Sequence, residues 1–142
     1  MANVGYAAFS TTVEKTNQVL KAIEEAYNWP KERREQSYGA LRAVLHALRD
    51  RLTVGEAKDL GAQLPMLIRG IYYEGWNLAK MPIKMDREEF LRRVRNEFPW
   101  EIEGSINDLV KTVIKALRPY ISEGEYEDIK YNMPKDLAAL LP

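Results

Sequence analysis

The first candidate for chemistry in this sequence is its single histidine, His46, and the chain contains no cysteine. Structural zinc sites take four cysteine or histidine ligands, so this sequence lacks the donors for one. Projected onto a helix, His46 falls on the side away from the apolar Leu45 and Leu48, and we expect it to face solvent. We therefore predict no metal site, and no motif implies a cofactor.

The densest group of carboxylates is the second candidate, and its members are Glu123, Glu125, Glu127 and Asp128. Paired carboxylates that face inward could perform acid–base chemistry or hold two metal ions. This group follows Ser122 in the expected first turn of a helix, where negative charge interacts favourably with the helix dipole. We therefore interpret it as a solvated helix start.

The serines and threonines offer no clear nucleophile, because most stand where helices are expected to begin. Those positions are Ser10, Thr11, Thr53, Ser105 and Ser122. A hydroxyl nucleophile also needs a neighbouring base and a group that orients the base. We predict no catalytic residues, and the sequence weighs against an enzyme while leaving one open.

Positive and negative charges balance, with 21 lysines and arginines against 21 aspartates and glutamates. The basic clusters are Lys31, Arg33 and Arg34, and then Arg87, Arg92, Arg93 and Arg95. Glu88 and Glu89 stand four positions before Arg92 and Arg93, a spacing that favours ion pairs along a helix. A nucleic-acid-binding surface needs an uninterrupted basic face, so nucleic acid is the weakest of the partners considered.

Aromatic and charged residues concentrate at one place, which supplies the best candidate for binding. The five residues are Arg69, Tyr72, Tyr73, Glu74 and Trp76. Aromatic side chains and arginine are enriched at binding hot spots. The alternative is that these aromatic rings fold back into the protein and keep only their polar tips at the surface.

The elements that would position these residues repeat along the chain. The tripeptide Ala-Leu-Arg at 47–49 recurs at 116–118, and its neighbours recur with it. Such self-similarity determines architecture more firmly than the prediction of any single helix. We predict a first repeat over 11–73 and a second over 86–142.

Each predicted repeat carries the same series of helices. The clearest has an apolar stripe at helical spacing, which consists of Leu41, Val44, Leu45, Leu48 and Leu52 in the first repeat and Val110, Val113, Ile114, Leu117 and Ile121 in the second. One continuous stripe of this kind predicts an amphipathic helix. We therefore predict an all-α protein, a compact helical bundle of two tandem pseudo-repeats, which forms a single domain over 1–142.

Signals for helix ends support the same series. Thr11 and Glu14 have the spacing of a capping box, so we expect the first helix to begin at Thr11. Thr53 and Ser122 begin equivalent boxes in the two repeats. Proline at 65 and 134 should end one helix and allow another to open, which gives about four helices per repeat.

One stretch of the sequence resembles a known family. Gly-Ile-Tyr-Tyr-Glu-Gly-Trp at 70–76, with Gln-Leu-Pro at 63–65 before it and Phe-Leu at 90–91 after it, is similar to the bacterial and archaeal family catalogued as domain of unknown function number 2267. The resemblance spans essentially the whole chain. It implies an all-helical, duplicated fold and carries over no catalytic or ligand-binding residues. The chain departs from its own repeat at Met133 and at Pro119, and Pro119 should bend or shorten a helix.

Three functions follow as hypotheses. The first is a non-catalytic, cytoplasmic protein-interaction module that uses the aromatic residues between the repeats. The alternative is a small-molecule-binding protein or an enzyme, with a pocket between the repeats that Tyr27, Trp29, Tyr72 and Trp76 would line. Binding of nucleic acid is the weaker alternative.

The expected location and assembly follow from simple patterns. The start of the sequence lacks a basic leader followed by an apolar run, so we expect no signal peptide. Apolar stretches fall short of the roughly 20 residues that span a bilayer, so we expect no membrane partner. We expect a cytoplasmic protein, with an unknown protein partner and with homo-oligomerisation left open.

Overall fold

The computed structural model describes residues 6–142, and within them the chain forms eight α-helices and no strand. The helices are α1 Ala7–Tyr27, α2 Arg34–Arg51, α3 Val54–Gln63, α4 Met66–Tyr73, α5 Arg87–Glu97, α6 Ile106–Leu117, α7 Glu123–Asn132 and α8 Lys135–Ala138. Three short 3₁₀ turns connect them, Lys31–Arg33, Leu78–Lys80 and Arg118–Tyr120. The predicted all-α compact bundle is confirmed, whereas its division into two repeats stays a prediction.

Four of the eight described α-helices, namely α3, α5, α6 and α7, begin with a side-chain cap, which satisfies backbone N–H groups that have no partner inside the helix. Thr53 and Glu56 form the reciprocal capping box of α3, and Ser105 and Asp108 form that of α6. Ser122 caps α7 by accepting from the backbone N–H of Glu125. The predicted capping box is therefore present at Thr53, whereas Ser122 supplies only its own half of the box, because its backbone N–H donates to Gln63 and not to Glu125.

The first helix begins earlier than expected. Helix α1 starts at Ala7, so the prediction of a capping box at Thr11 is wrong. The hydroxyl of Thr11 instead donates 3.0 Å to the carbonyl oxygen of Ala7, one turn back within the helix. A threonine inside a helix commonly makes this bond to the preceding turn.

The prolines act as their chemistry requires. Pro65 and Pro134 each stand directly before a short helix, after the previous helix has ended. Helix α6 ends at Leu117, and a 3₁₀ turn containing Pro119 follows it. The expected shortening of this helix by Pro119 is therefore confirmed, since proline lacks the N–H that a longer helix would use.

Helix α2 lies at the centre of the bundle, packed against α1, α4, α5 and α6. Its predicted apolar stripe is buried, and so are three polar residues on its other faces, Ser37, His46 and Arg49. The prediction that His46 faces solvent is wrong, because only 4% of its surface is exposed. Neighbouring helices cover α2 on more than one side, which a single stripe in the sequence does not reveal.

Within residues 6–142, no helix is long and apolar enough to cross a membrane.

Candidate binding groove

The five residues predicted to bind lie on or just after α4, but most of their side chains serve the fold. Arg69 reaches back to the end of α3, where its guanidinium donates to the carbonyl oxygens of Gly61 and Leu64, each at 2.9 Å. Gly61 belongs to the last turn of α3 and Leu64 directly follows the helix, so Arg69 supplements the C-terminal cap of α3. Its guanidinium is therefore engaged before any partner arrives.

Tyr72 is completely buried, with no exposed surface. Its hydroxyl donates 2.7 Å to the carbonyl oxygen of Ala57 in α3. Burial raises the pKa of the phenol, since the charged form would have to give up its water. Tyr72 therefore belongs to the core and joins α4 to α3.

Tyr73 and Trp76 are half-buried and stack on each other, with ring centroids 5.3 Å apart. The ring of Tyr73 covers Gly61 so closely that a Cβ at that position would clash with it. This arrangement matches the interpretation in which the aromatics fold back into the protein. The predicted residues are neighbours in the sequence, but the structure does not place their side chains on one open surface.

The last turn of α4 is held by polar side chains of α2. Arg49 donates to the carbonyl oxygens of Tyr72 and Glu74, at 2.9 and 2.7 Å. The Nε2 atom of His46 lies 2.8 Å from the carbonyl oxygen of Ile71. Three carbonyls at the C-terminus of α4 thereby gain partners, which fixes the position of α4 on the bundle.

Arg69 and Glu74 are the two predicted residues that are exposed, and Glu74 is the one that borders an open groove. Its Oε1 atom accepts from Arg42 of α2 at 2.9 Å, and this pair lies at the protein surface. Arg42 also lies 3.6 Å from Glu97 of α5. Glu74 marks one edge of a groove that the sequence did not indicate.

This groove lies between α1 and α4 and has a volume of about 760 Å³. Its lining residues are Phe9, Thr12, Val13, Thr16, Asn17, Leu20, Tyr38, Met66, Leu67, Gly70, Ile71 and Glu74. Five of the eight large hydrophobic side chains exposed in the described part of the chain line it, namely Phe9, Val13, Tyr38, Met66 and Leu67. A cluster of exposed apolar side chains of this kind is typical of an interaction site.

The walls of the groove are two helical faces. On α1, the lining residues from Phe9 to Leu20 recur at spacings of three and four, as on one face of a helix. At a rise of 1.5 Å per residue, this face is about 17 Å long. Met66, Leu67 and Gly70 form the facing wall on α4.

A hydrogen bond fastens the two walls at one end. The hydroxyl oxygen of Thr12 accepts from the backbone N–H of Leu67 at 2.8 Å. Since Pro65 caps α4 without a side-chain hydrogen bond, Thr12 supplies part of the missing cap from another helix. The neighbouring hydroxyl of Thr16 donates 2.7 Å to the carbonyl oxygen of Thr12, so both threonines are satisfied.

Gly70 leaves the α4 wall open at its centre. A Cβ added there would meet no atom within 4 Å, and its φ lies outside the left-handed region. Glycine inside a helix costs roughly 0.5–1 kcal/mol relative to alanine, and nothing in the fold requires it at this position. The groove is wider because of it.

The other predicted clusters are structural or solvated. Burial, followed by repulsion from Asp59, Asp128 and Glu56, raises the pKa of Glu125. Within residues 6–142, no three histidine, cysteine or acidic side chains form a group that could hold a metal ion. Glu123 and Glu125 of the acidic cluster lie in the first turn of α7, as expected from the sequence.

The arginines of α5 are largely engaged with their own helix and its end. Arg92 and Arg93 both pair with Glu89, and Arg93 lies 2.9 Å from its carboxylate. The expected pair of Glu89 with Arg93 is therefore present, whereas Arg92 pairs with Glu89 and not with Glu88 as expected. Arg95 donates 2.8 Å to the carbonyl oxygen of Trp100.

The four residues expected to line a pocket between the repeats stack in two groups. Tyr27 stacks on Trp29 at 4.7 Å, and Trp29 stacks on Phe98 at 6.3 Å. Trp76 instead stacks on Tyr73, which lies against Tyr72. In the described residues these rings fill space between helices and support one another.

The comparisons with known proteins bear on the family and not on activity. Residues 16–140 match the family described as "Uncharacterized conserved protein (DUF2267)". No curated protein matches the chain. The family match agrees with the resemblance seen in the sequence.

Proposed function

We propose that this chain, which belongs to the DUF2267 family of uncharacterized conserved proteins, is a protein-interaction module whose groove between α1 and α4 binds an amphipathic helix. The class of function is the one expected from the sequence. The proposed binding surface, however, is the α1–α4 groove and not the aromatic residues between the predicted repeats. The cytoplasmic location expected from the sequence belongs to the same proposal.

The concentration of exposed apolar side chains on two facing helices carries the proposal. Phe9 and Met66 are 57% and 56% exposed, and they stand on opposite walls. Covering apolar surface stabilises a complex by about 25 cal/mol per Å² removed from water. A partner that filled the groove would therefore gain free energy from both walls at once.

The shape of the groove supports a helix as the occupant. Its α1 wall is about 17 Å long, which matches about three helical turns. Helices bind such grooves through apolar anchors at positions i, i+3 or i+4, and i+7. The open space over Gly70 leaves room for one anchor side chain at the centre of the α4 wall.

Charge specifies one further property of the partner. Among the described residues that line the groove, Glu74 is the single charged one, and it is well exposed. Only its Oε1 atom is engaged, by Arg42. A basic residue at the matching end of the partner helix would therefore be attracted to the groove, with a modest contribution because the pair is exposed.

A selection from displayed helical peptides tests the proposal. A library with a fixed helical scaffold and randomised anchor positions would be selected on the wild-type chain and on Gly70→Arg. This substitution places a long charged side chain in the groove while raising helix propensity, so the fold should hold. Gly55→Arg is the matched control, because Gly55 is an equally open helical glycine outside the groove.

We expect the selected peptides to carry an apolar face with a basic residue at one end. They should bind wild type and Gly55→Arg alike and lose at least about tenfold in affinity on Gly70→Arg, since an Arg head group would have to be desolvated. Enrichment of peptides that bind Gly70→Arg equally well would overturn the choice of groove. Failure to enrich any helix would count against the function itself.

A small apolar ligand is the second candidate, because ligand pockets typically have volumes of about 300–1,000 Å³. The groove's 760 Å³ falls within this range. A ligand that binds the folded state raises the melting temperature. A rise produced by a small apolar compound in wild type and lost in Gly70→Arg would favour this candidate over a helix.

A further inference from the structure

We infer that Asn17 is a specificity-determining residue of the groove, which selects a partner helix with a polar side chain opposite it. This inference rests on the proposed function. Asn17 lies on the lining face of α1, between Val13 and Leu20. It is exposed, whereas the next lining residue toward the core, Thr16, is buried.

The side-chain amide of Asn17 is free to bind a partner. It makes no hydrogen bond to any other residue that the structure describes, and an amide offers two donors and an acceptor. The neighbouring threonines are already engaged, because Thr12 accepts from Leu67 of α4 and Thr16 donates to the carbonyl oxygen of Thr12. Glu74 is engaged through Oε1 by Arg42, which leaves its Oε2 atom and the Tyr38 hydroxyl as the other open polar groups of the described lining.

A helix that covers the groove must therefore provide hydrogen-bond partners for the side-chain amide of Asn17. A leucine opposite Asn17 would strip water from the amide and leave its donors and acceptor unpaired, which costs free energy. A polar side chain opposite Asn17 would restore the hydrogen bonds. A single asparagine at such a position between helices fixes their register at some cost in affinity.

The position of Asn17 also favours one register of the partner helix in the groove. Val13 lies four residues before Asn17 and Leu20 lies three residues after it, so apolar anchors flank the amide on both sides. A shift of the partner by one turn would place an apolar anchor on Asn17 and the polar residue on an apolar neighbour. Both contacts of the shifted register would be unfavourable.

Repeating the peptide selection on Asn17→Leu tests this inference. Asn17 is exposed and leucine is the better helix former, so the variant should fold at least as well as wild type. Wild type should enrich Asn, Gln or Ser at one fixed position between the apolar anchors, and Asn17→Leu should enrich Leu or Ile there. Two peptides that differ only at that position, one with a polar residue and one with leucine, should be compared on both proteins. Wild type should prefer the polar peptide and Asn17→Leu the leucine peptide, and the ratio of their affinities should differ by about tenfold between the two proteins.

The outcomes separate this inference from the proposed function. Helices that bind wild type, fail on Gly70→Arg and show the same residue preference on Asn17→Leu would overturn the role of Asn17 and leave the helix-binding function standing. Helices that fail to distinguish wild type from Gly70→Arg would overturn both. A reversed preference on Asn17→Leu supports both.

Discussion

The Nδ1 atom of His46 lies 3.0 Å from a carboxylate oxygen of Glu97, and this contact joins α2 to α5. The other ring nitrogen of His46 lies 2.8 Å from the carbonyl oxygen of Ile71 in α4. One buried imidazole therefore connects three helices. Since Ile71 also lines the α1–α4 groove, His46 helps to position one wall of the candidate site.

Replacing His46 with leucine is expected to lower the free energy of unfolding by roughly 1–3 kcal/mol. The carbonyl oxygen of Ile71 would keep only the backbone N–H of Glu74 as a partner, and Glu97 would lose one of its own partners. Urea denaturation of the purified variant measures the change. A variant as stable as wild type would show that these two hydrogen bonds contribute nothing to the fold.

Tyr72→Phe is expected to destabilise the protein by about 0.5–1.5 kcal/mol, because the carbonyl oxygen of Ala57 would lose the buried hydrogen bond that it accepts from the phenol. Tyr131→Phe is the matched control, since Tyr131 is 89% exposed. Thermal unfolding followed by circular dichroism compares the two variants. Equal melting temperatures for them would contradict the structural role assigned to Tyr72.

Alanine at two helical glycines should change stability in opposite directions. Gly70→Ala should stabilise the protein by roughly 0.5–1 kcal/mol, because the new methyl group meets open space. Gly39→Ala should destabilise it by about 1–3 kcal/mol, because the methyl group would overlap the ring of Trp100. Denaturant titrations of both variants test the signs, and a loss of stability in Gly70→Ala would mean that the groove is not open there.

Glu24 should make part of the stability depend on acid pH. The hydrogen bond from Arg34 lowers the pKa of this buried carboxylate, and Ser37 adds a second donor. Because the folded pKa lies below the unfolded value of about 4.3, the contribution is present above that pH. It is lost as the pH falls from there through the folded pKa.

Glu24→Gln should therefore lose stability at neutral pH, by roughly 1–3 kcal/mol, and show a shallower loss on acidification. Unfolding free energies measured between neutral pH and pH 3 provide the test. Glu25→Gln is the control, because Glu25 neighbours Glu24 on the exposed side of α1. A parallel acid dependence in wild type and Glu24→Gln would rule out this ion pair as its source.

Much of the fold could be predicted from local chemistry. The apolar stripe of α2, the caps at Thr53 and Ser122 and the stop at Pro119 depend on residues close together in sequence. The burial of His46 could not be predicted this way. It depends on α4 and α5, which cover a second side of α2 and supply acceptors for both ring nitrogens.

The groove escaped prediction for a related reason. Phe9, Val13 and Leu20 have the spacing of a buried helical face, and the sequence does not show that part of this face is left uncovered. The predicted aromatic site does not form an open surface, because contacts with a helix distant in sequence bury part of it. Tyr72 found a buried hydrogen-bond acceptor in α3, 15 positions away along the chain.

The most direct measurement is NMR mapping of the strongest selected helical peptide on the isotope-labelled chain. We expect the largest shift changes at the side-chain amide of Asn17 and at the methyl groups of Val13, Leu67 and Ile71, with little change in α5 or α6. Shift changes centred on Trp76 or on the arginines of α5, with the α1–α4 groove unaffected, would contradict the proposed helix-binding groove.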